Sequence, residues 1–207
     1  LDSTQRTVRF LSAGIELDPG GIGKGYAVDR AIKILRTHGV STALLSAGSS
    51  TIYALGAPAG EPGWKIRVPA PGQQESTVST VILQDTSLST ANLSEKHFLD
   101  EGHLYGAIMD PRTLRPSERV LQVSAIAPSA MDSDVLSKTL FVLGPEGSAS
   151  FLEEFPQFSA LMVSAAKTAN GNWFIGTLIL CMLDPKRKNP SPIQRCVFRV
   201  HSLVGGK

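Results

Sequence analysis

The spacing of apolar residues predicts an amphipathic helix early in the chain and two further helices in its second half. In the early helix the apolar positions fall at i, i+3, i+4 and i+7, which form one face of a 3.6-residue period. Its end is predicted at Gly39, because glycine closes a helix in a left-handed conformation at little cost. The later helices are predicted over 131–143, ending at Gly144, and over 146–155. The early apolar face consists of Val28, Ala31, Ile32 and Leu35. Asp29 and Arg30 are charged residues beside that face, and we expect them to be mostly solvated or in local ion pairs.

Short apolar or alternating runs between these helices predict strands. Apolar and polar residues alternate at 64–68, which predicts a half-exposed strand, whereas the apolar run at 42–45 predicts a buried one. Asp110-Pro111 begins a tight turn, and Asn170-Gly171 is typical of a two-residue hairpin turn. Further strands are predicted at 7–10, 14–17, 78–83, 123–127, 160–163 and 173–175.

Strands and helices do not alternate strictly, so the predicted fold class is α+β, with mixed or antiparallel sheets and a few packed helices. The chain has 207 residues, 42% of them hydrophobic and 18% charged, which is an ordinary composition for one globular domain. Glycine (19) and proline (13) are frequent enough to indicate many turns. We expect a folded domain over 1–183 and a basic, irregular tail over 184–207.

The charge distribution argues against nucleic acid as a partner. Six of the 20 Lys and Arg residues lie in the tail, beside one acid, so residues 1–183 carry 14 basic and 17 acidic side chains. A mildly acidic body is a poor match for a polyanion. The longest apolar run, 173–183, has 11 residues and is too short to span a bilayer as a helix. Cys181 and Cys196 could form a disulfide or remain thiols.

Four glycines in eight residues precede the early helix, in the stretch DPGGIGKG at 18–25. Such a loop suits a bound anion, because glycines let the backbone approach closely and the helix N-terminus carries partial positive charge. A Walker A loop is excluded, since Asp18 stands where its first glycine belongs and Gly25 where Ser or Thr belongs. The dinucleotide fingerprint fails because its third glycine would fall on Tyr26. The alternative is a simple turn into a helix, but the charged residues at 18 and 24 favour a polar ligand.

Two aspartates, Asp132 and Asp134, open the helix predicted over 131–143. Acids in a first helical turn commonly serve the free N–H groups and the helix dipole. The second interpretation is a hard-metal site, because Mg²⁺ prefers carboxylate and carbonyl oxygens together with waters or substrate phosphates. The sequence leaves both interpretations open.

Taken together, these segments resemble the ApbE-type FAD:protein FMN transferase family, over about residues 7–178. The fold implied is an ApbE-like, T-fold-related domain, of which this chain matches the C-terminal two-thirds. Members use Mg²⁺ and FAD, and attach FMN through a phosphoester to a Thr or Ser of an acceptor protein. The resemblance also implies a periplasmic or cell-envelope lipoprotein, although no leader is visible. The matching segments are DPGGIGKGYAVDR at 18–30, SAGSS at 46–50, GWKIR at 63–67, DPRT at 110–113, and APSA through LFVLG over 127–144.

The resemblance also implies roles for individual residues. Asp18 and Lys24 match contacts to the flavin nucleotide, and Met109 matches an apolar position that contacts FAD. Gly21 matches the residue whose carbonyl reaches Mg²⁺, and Asp134 matches the metal carboxylate.

Two departures from the family pattern concern the chemistry. Lys138 stands where the family has a Thr ligand of the metal, one helical turn after Asp134, so an ion pair between the two is expected. Ala107 stands where the family has a histidine, which leaves the catalytic residue unknown. The leading hypothesis is therefore protein flavinylation with Mg²⁺. The alternatives are a relative that binds flavin nucleotide without turnover, and a protein-interaction module without a ligand.

Overall fold

The computed structural model describes residues 1–48, 50–93, 97–100, 103–118, 120–167 and 173–180. Helix α1 spans Gly23–Thr37, after a 3-10 turn at Pro19–Gly21, and helix α2 spans Ala130–Glu154. The strands are β1 (Ala43–Ala47), β2 (Thr51–Leu55), β3 (Trp64–Ala70), β4 (Gln73–Leu83), β5 (Thr86–Asn92), β6 (His97–Asp100), β7 (His103–Gly106), β8 (Met109–Asp110), β9 (Arg115–Pro116), β10 (Gln122–Ala127), β11 (Ser159–Lys167) and β12 (Trp173–Leu180).

Six of these strands form one antiparallel sheet in the order β1-β2-β5-β10-β11-β12. Three two-stranded pairs accompany it: β3 with β4, β6 with β7, and β8 with β9. The predicted α+β class with antiparallel sheets is therefore confirmed.

Alternate residues along the central strands point to opposite faces of the sheet, as the period of two requires. One face of β2 carries Tyr53 and Leu55, which pack against α1. The other face carries Ala54, which packs beneath the β3–β4 hairpin. The helices and the hairpin thus cover opposite faces of the sheet, with an apolar cluster on each side. The cluster around α2 contains Val123, Ala125, Leu136, Leu140, Phe141 and Met162.

Both predicted helical regions are present. Helix α1 buries Val28 and Ile32 from its predicted apolar face, and Gly39 follows it with a φ of 78°. Helix α2 contains the two helices predicted at 131–143 and 146–155, joined at a kink where Gly144 has a φ of 73°. Glycine suits this position because a Cβ would be strained in the left-handed region. No helix in the described part of the chain is long and apolar enough to cross a membrane.

Three strand predictions need comment. Residues 7–10 and 14–17 form no strand, and residues 1–20 are exposed throughout. One isolated bridge joins Asp2 to Thr7. The run at 42–45 overlaps β1, as predicted. The prediction that this strand is buried was wrong, because β1 lies at the sheet edge and its residues alternate between partly buried and exposed. The predicted turn at 170–171 and the tail at 184–207 lie outside the described residues.

Candidate functional site

The carboxylate of Asp134 is the centre of the candidate site. It is fully buried at the start of α2. One oxygen, Oδ2, accepts a hydrogen bond from the Gly25 N–H at 3.0 Å. The other, Oδ1, accepts from the Ser89 hydroxyl at 3.4 Å and from the ammonium of Lys138. A buried carboxylate is tolerated only when it is paired and hydrogen-bonded, and here both oxygens are.

Gly25 makes this contact possible because it lets α1 and α2 approach closely. A Cβ at Gly25 would lie 2.3 Å from the carbonyl oxygen of Ala130 and 2.6 Å from the Cα of Met131. Both are backbone atoms, which cannot rotate away as a side chain could. The other glycines of the predicted loop have more room, and none of them has a positive φ. Of the four glycines in the predicted anion-binding loop, Gly25 therefore serves the packing of α1 against α2.

Lys138 lies one helical turn after Asp134, and the predicted ion pair between them is present. Its ammonium also donates to the backbone carbonyl of Asp134 at 2.9 Å. The side chain is 27% exposed, so solvent reaches it, whereas Asp134 is out of reach. A Cβ at Gly21 would lie 3.9 Å from Cδ of Lys138, which places the lysine stem beside the glycine turn.

Lys24 immediately precedes Gly25 in the first turn of α1. Its ammonium donates to the hydroxyl of Ser50, just before β2. The next residue, Thr51, shares a 2.9 Å hydrogen bond with Ser89, which in turn donates to Asp134. We call Lys24, Asp134 and Lys138 the lysine–aspartate cluster. Its three charges sum to one net positive charge.

A network of buried hydroxyl groups supports the cluster from the sheet. Ser87 shares a 2.9 Å hydrogen bond with Ser133 and donates to the carbonyl of Ile52 at 2.7 Å. Ser137 donates to the carbonyl of Asp134 at 2.9 Å. In the described part of the chain, no buried side-chain polar atom lacks a partner. These serines were not predicted, although the alternating Ser87 and Ser89 of β5 carried a signal.

The other predicted site residues lie around the cluster or apart from it. Asp18 caps the 3-10 turn by accepting from the Gly20 N–H at 2.8 Å. Met109 is 50% exposed on β8, and Ala107 is exposed just before it. The β8–β9 hairpin contacts α2 through Arg112, which donates to the carbonyl of Val142 at 3.1 Å. The acceptor of that bond lies about two turns beyond Asp134 in α2. Among the described residues, the hydrogen bonds of the cluster do not involve Met109 or Ala107.

Asp29 corrects a further expectation from the sequence. We expected its side chain to be solvated or in a local ion pair, outside the apolar face of α1. Instead, its two oxygens accept from the N–H groups of Ala130 and Met131 at 2.8 and 2.9 Å, at the N-terminus of α2. Asp29 lies one turn after Gly25, on the helix face that meets α2, and this spacing was the available signal.

Replacing Asp29 with alanine should lower the free energy of unfolding by about 1 to 2 kcal/mol, because two helix N–H groups lose a charged acceptor. Urea denaturation measures this change. Arg30→Ala is the matched control: the neighbouring side chain is exposed, so its loss should change stability by less than about 0.5 kcal/mol. Equal effects of the two substitutions would contradict a capping role.

A groove of about 470 Å³ lies further along α1, where the helix passes the segment just before α2. Asp29, Lys33, Arg36 and Tyr53 contribute to its lining. Burial raises the pKa of Tyr53, and the charge of Arg36 and its hydrogen bond to the Tyr53 hydroxyl oppose that shift. None of the predicted site residues lines this groove, so we do not place the candidate site there.

The Mg²⁺ implied by the resemblance does not fit the donors around Asp134. Mg²⁺ requires about six oxygen ligands at about 2.1 Å. Both oxygens of Asp134 already accept hydrogen bonds, and Oδ1 contacts an ammonium. Two positive unit charges about 4 Å apart repel each other by about 4 kcal/mol at an effective dielectric constant of 20. Because Mg²⁺ carries two charges, its repulsion by the Lys138 ammonium at that distance would be twice as large. Among the described residues, no three His, Cys, Asp or Glu side chains converge on a metal position.

Comparison with known proteins shows the family of this chain. Residues 1–162 match the profile of the ApbE family. The FAD:protein FMN transferase of Treponema pallidum (strain Nichols) is 34% identical over 167 residues, which cover 76% of this chain and 46% of that protein. A second, from Klebsiella pneumoniae (strain 342), is 30% identical over 166 residues, 79% of this chain and 50% of the relative.

Solved structures agree with these matches. The ApbE protein of Thermotoga maritima superposes with a TM-score of 0.67 at 29% identity, over 78% of this chain and 51% of that one. The apo form of the flavinyl transferase ApbE from Pseudomonas stutzeri gives a TM-score of 0.62 at 28% identity, over 78% of this chain and 49% of that one. The chain thus spans about half the length of the relatives that it matches. It belongs to the ApbE family.

Proposed function

We propose that this chain binds FAD at the lysine–aspartate cluster and takes part in the transfer of FMN from FAD to a Thr or Ser of an acceptor protein. The relatives are named FAD:protein FMN transferases, and this chain spans about half of their length. One observation carries the proposal: the first turn of α1, which contains Lys24, lies against the Asp134–Lys138 pair of α2, although Gly25 and Asp134 are 109 positions apart in the sequence.

The cluster is suited to a pyrophosphate. The N-cap residue of α1, Ile22, makes no side-chain capping bond, and the Gly25 N–H donates to Asp134. The dipole at this N-terminus favours an anion. Lys24 has an ammonium with three N–H donors, of which one is used on Ser50 in the described structure. The cluster therefore combines unpaired donors with net positive charge.

The proposed reaction is a phosphoryl transfer. The acceptor hydroxyl oxygen bonds to the phosphorus of the FMN half, the pyrophosphate P–O bond breaks, and AMP leaves. The hydroxyl proton passes to a base. The methyl side chain of Ala107 cannot be that base, because it has no group that accepts a proton. Positive charge at the cluster would stabilise the negative charge that builds on the pyrophosphate oxygens.

A second candidate function is FAD binding without turnover. The two observations that favour it are the alanine at position 107 and the ammonium beside Asp134. Incubating the protein with FAD and an acceptor polypeptide, with and without Mg²⁺, separates the two functions. FMN attached to the acceptor, with release of AMP, supports the transferase. Bound FAD without AMP supports the second function, and no FAD binding leaves a protein-interaction module.

Replacing Lys24 with methionine should weaken FAD binding about tenfold, because the side chain keeps its length but loses its charge. Quenching of flavin fluorescence measures the affinity. Lys33→Met is the matched control, since Lys33 is exposed on α1 and lines the groove further along that helix. If both variants bind FAD as the unmodified chain does, the pyrophosphate does not lie at Lys24.

A further inference from the structure

We infer that the Lys138 ammonium, held by Asp134, takes the place of a divalent cation, so that this chain binds the pyrophosphate of FAD without metal. The inference rests on the proposed function and concerns how that site carries its positive charge. It follows from the disagreement between the implied Mg²⁺ and the donors that surround Asp134.

The first step of the argument is the number of donors on Lys138. An ammonium has three N–H groups. In the described part of the chain, Lys138 directs hydrogen bonds to two acceptors, the carboxylate and the carbonyl oxygen of Asp134. One N–H group is left for a ligand.

The second step is which charge a ligand can reach. The Asp134 side chain is fully buried, while that of Lys138 is 27% exposed beside the glycine turn. An approaching anion therefore meets the cation of the pair rather than the carboxylate. The pair is neutral as a whole, but it presents its positive side to the solvent.

The third step is that Asp134 fixes the ammonium in place. A lysine side chain loses considerable rotamer freedom when it is ordered, and that cost weakens the binding of a ligand by a mobile lysine. Here the ion pair and the carbonyl contact hold the ammonium before any ligand arrives. A fixed cation of this kind serves phosphate oxygens as a metal ion would, although it carries one charge instead of two.

The first experiment tests the metal alone and needs no flavin. The full chain is freed of metal with EDTA, desalted, and titrated with Mn²⁺, whose free form gives an electron paramagnetic resonance signal. The unmodified chain should bind Mn²⁺ weakly. Lys138→Thr removes the ammonium and frees the carboxylate, so its Mn²⁺ affinity should rise about tenfold or more. Tight binding of Mn²⁺ by the unmodified chain overturns the inference, whatever FAD does.

The second experiment measures FAD affinity in EDTA and in Mg²⁺. The unmodified chain should bind FAD with less than about a twofold difference between the two conditions, because the cation is already present. Lys138→Met keeps the stem beside Gly21 but removes the charge, and should weaken binding about tenfold in EDTA. A tenfold gain in affinity from Mg²⁺ in the unmodified chain overturns the inference.

Lys65→Thr is the control for both experiments, because Lys65 lies on β3, across the sheet from α2, in an exposed pair with Glu61. It should leave Mn²⁺ and FAD affinity unchanged. Absence of FAD binding in every variant and condition overturns the proposed function, and with it the binding of pyrophosphate inferred here. The Mn²⁺ titration separates that failure from a failure of the lysine to exclude metal.

Discussion

Gly25→Ala should destabilise the fold by about 3 kcal/mol, the largest effect that we expect from a single methyl group in this protein. The new Cβ would lie 2.3 Å from the carbonyl oxygen of Ala130, and neither backbone can yield without separating α1 from α2. Separation would also stretch the hydrogen bond from the Gly25 N–H to Asp134. Equilibrium denaturation in urea measures the loss, with the midpoint expected to fall at an unchanged slope.

Gly23→Ala is the matched control, two residues earlier in the same helix. Its Cβ would have Pro19 Cβ as nearest neighbour at 3.8 Å, which is ordinary van der Waals contact. Because alanine is the better helix former, this substitution should be neutral or stabilising by up to about 1 kcal/mol. If Gly25→Ala proves as harmless as Gly23→Ala, the close approach of the two helices is wrong.

The second large effect is expected from Asp134→Ala, which should lower the free energy of unfolding by about 3 kcal/mol. The substitution leaves the Lys138 ammonium without its carboxylate and the Gly25 N–H without its acceptor. Adding Lys138→Met to Asp134→Ala should recover part of the loss, because the unpaired charge is then removed as well. Urea denaturation of the two single variants and the double variant gives the coupling energy of the pair.

Asp132→Ala separates this effect from the general one of an acid near a helix N-terminus. Asp132 is exposed in the first turn of α2, where an acid contributes up to about 1 kcal/mol through the helix dipole. A loss at Asp134 no larger than that at Asp132 would mean that the buried ion pair contributes nothing to stability.

Local patterns predicted the helices well but several strands poorly. Strand β5 was missed because the residues facing the helices are Ser87 and Ser89, so apolar alternation is absent. Ser89 donates to Asp134 and Ser87 shares a hydrogen bond with Ser133, and both partners lie more than 40 residues further along the chain. Residues 7–10 were predicted as a strand, but alternation creates a strand only where a partner offers backbone hydrogen bonds.

In the candidate site, too, the sequence predicted the local contacts and missed the long-range ones. The pair of Asp134 and Lys138 could be predicted because residues four apart on a helix are neighbours. The bond from Gly25 to Asp134 joins residues 109 positions apart, and no local pattern encodes it. The role of Asp29 was misjudged for the same reason, since its partners belong to a helix about 100 residues away.

By itself, the sequence determined the two helical regions, the α+β class, the position of the glycine turn and the local ion pair. Each depends on spacing within a few residues, where periodicity and backbone preference act directly. Only the tertiary structure decided that Gly25 is a helix contact, that Asp29 caps α2, and that Ser89 of β5 donates to Asp134. The physical reason is that a buried polar group takes whichever partner the packing of distant elements brings within hydrogen-bond reach.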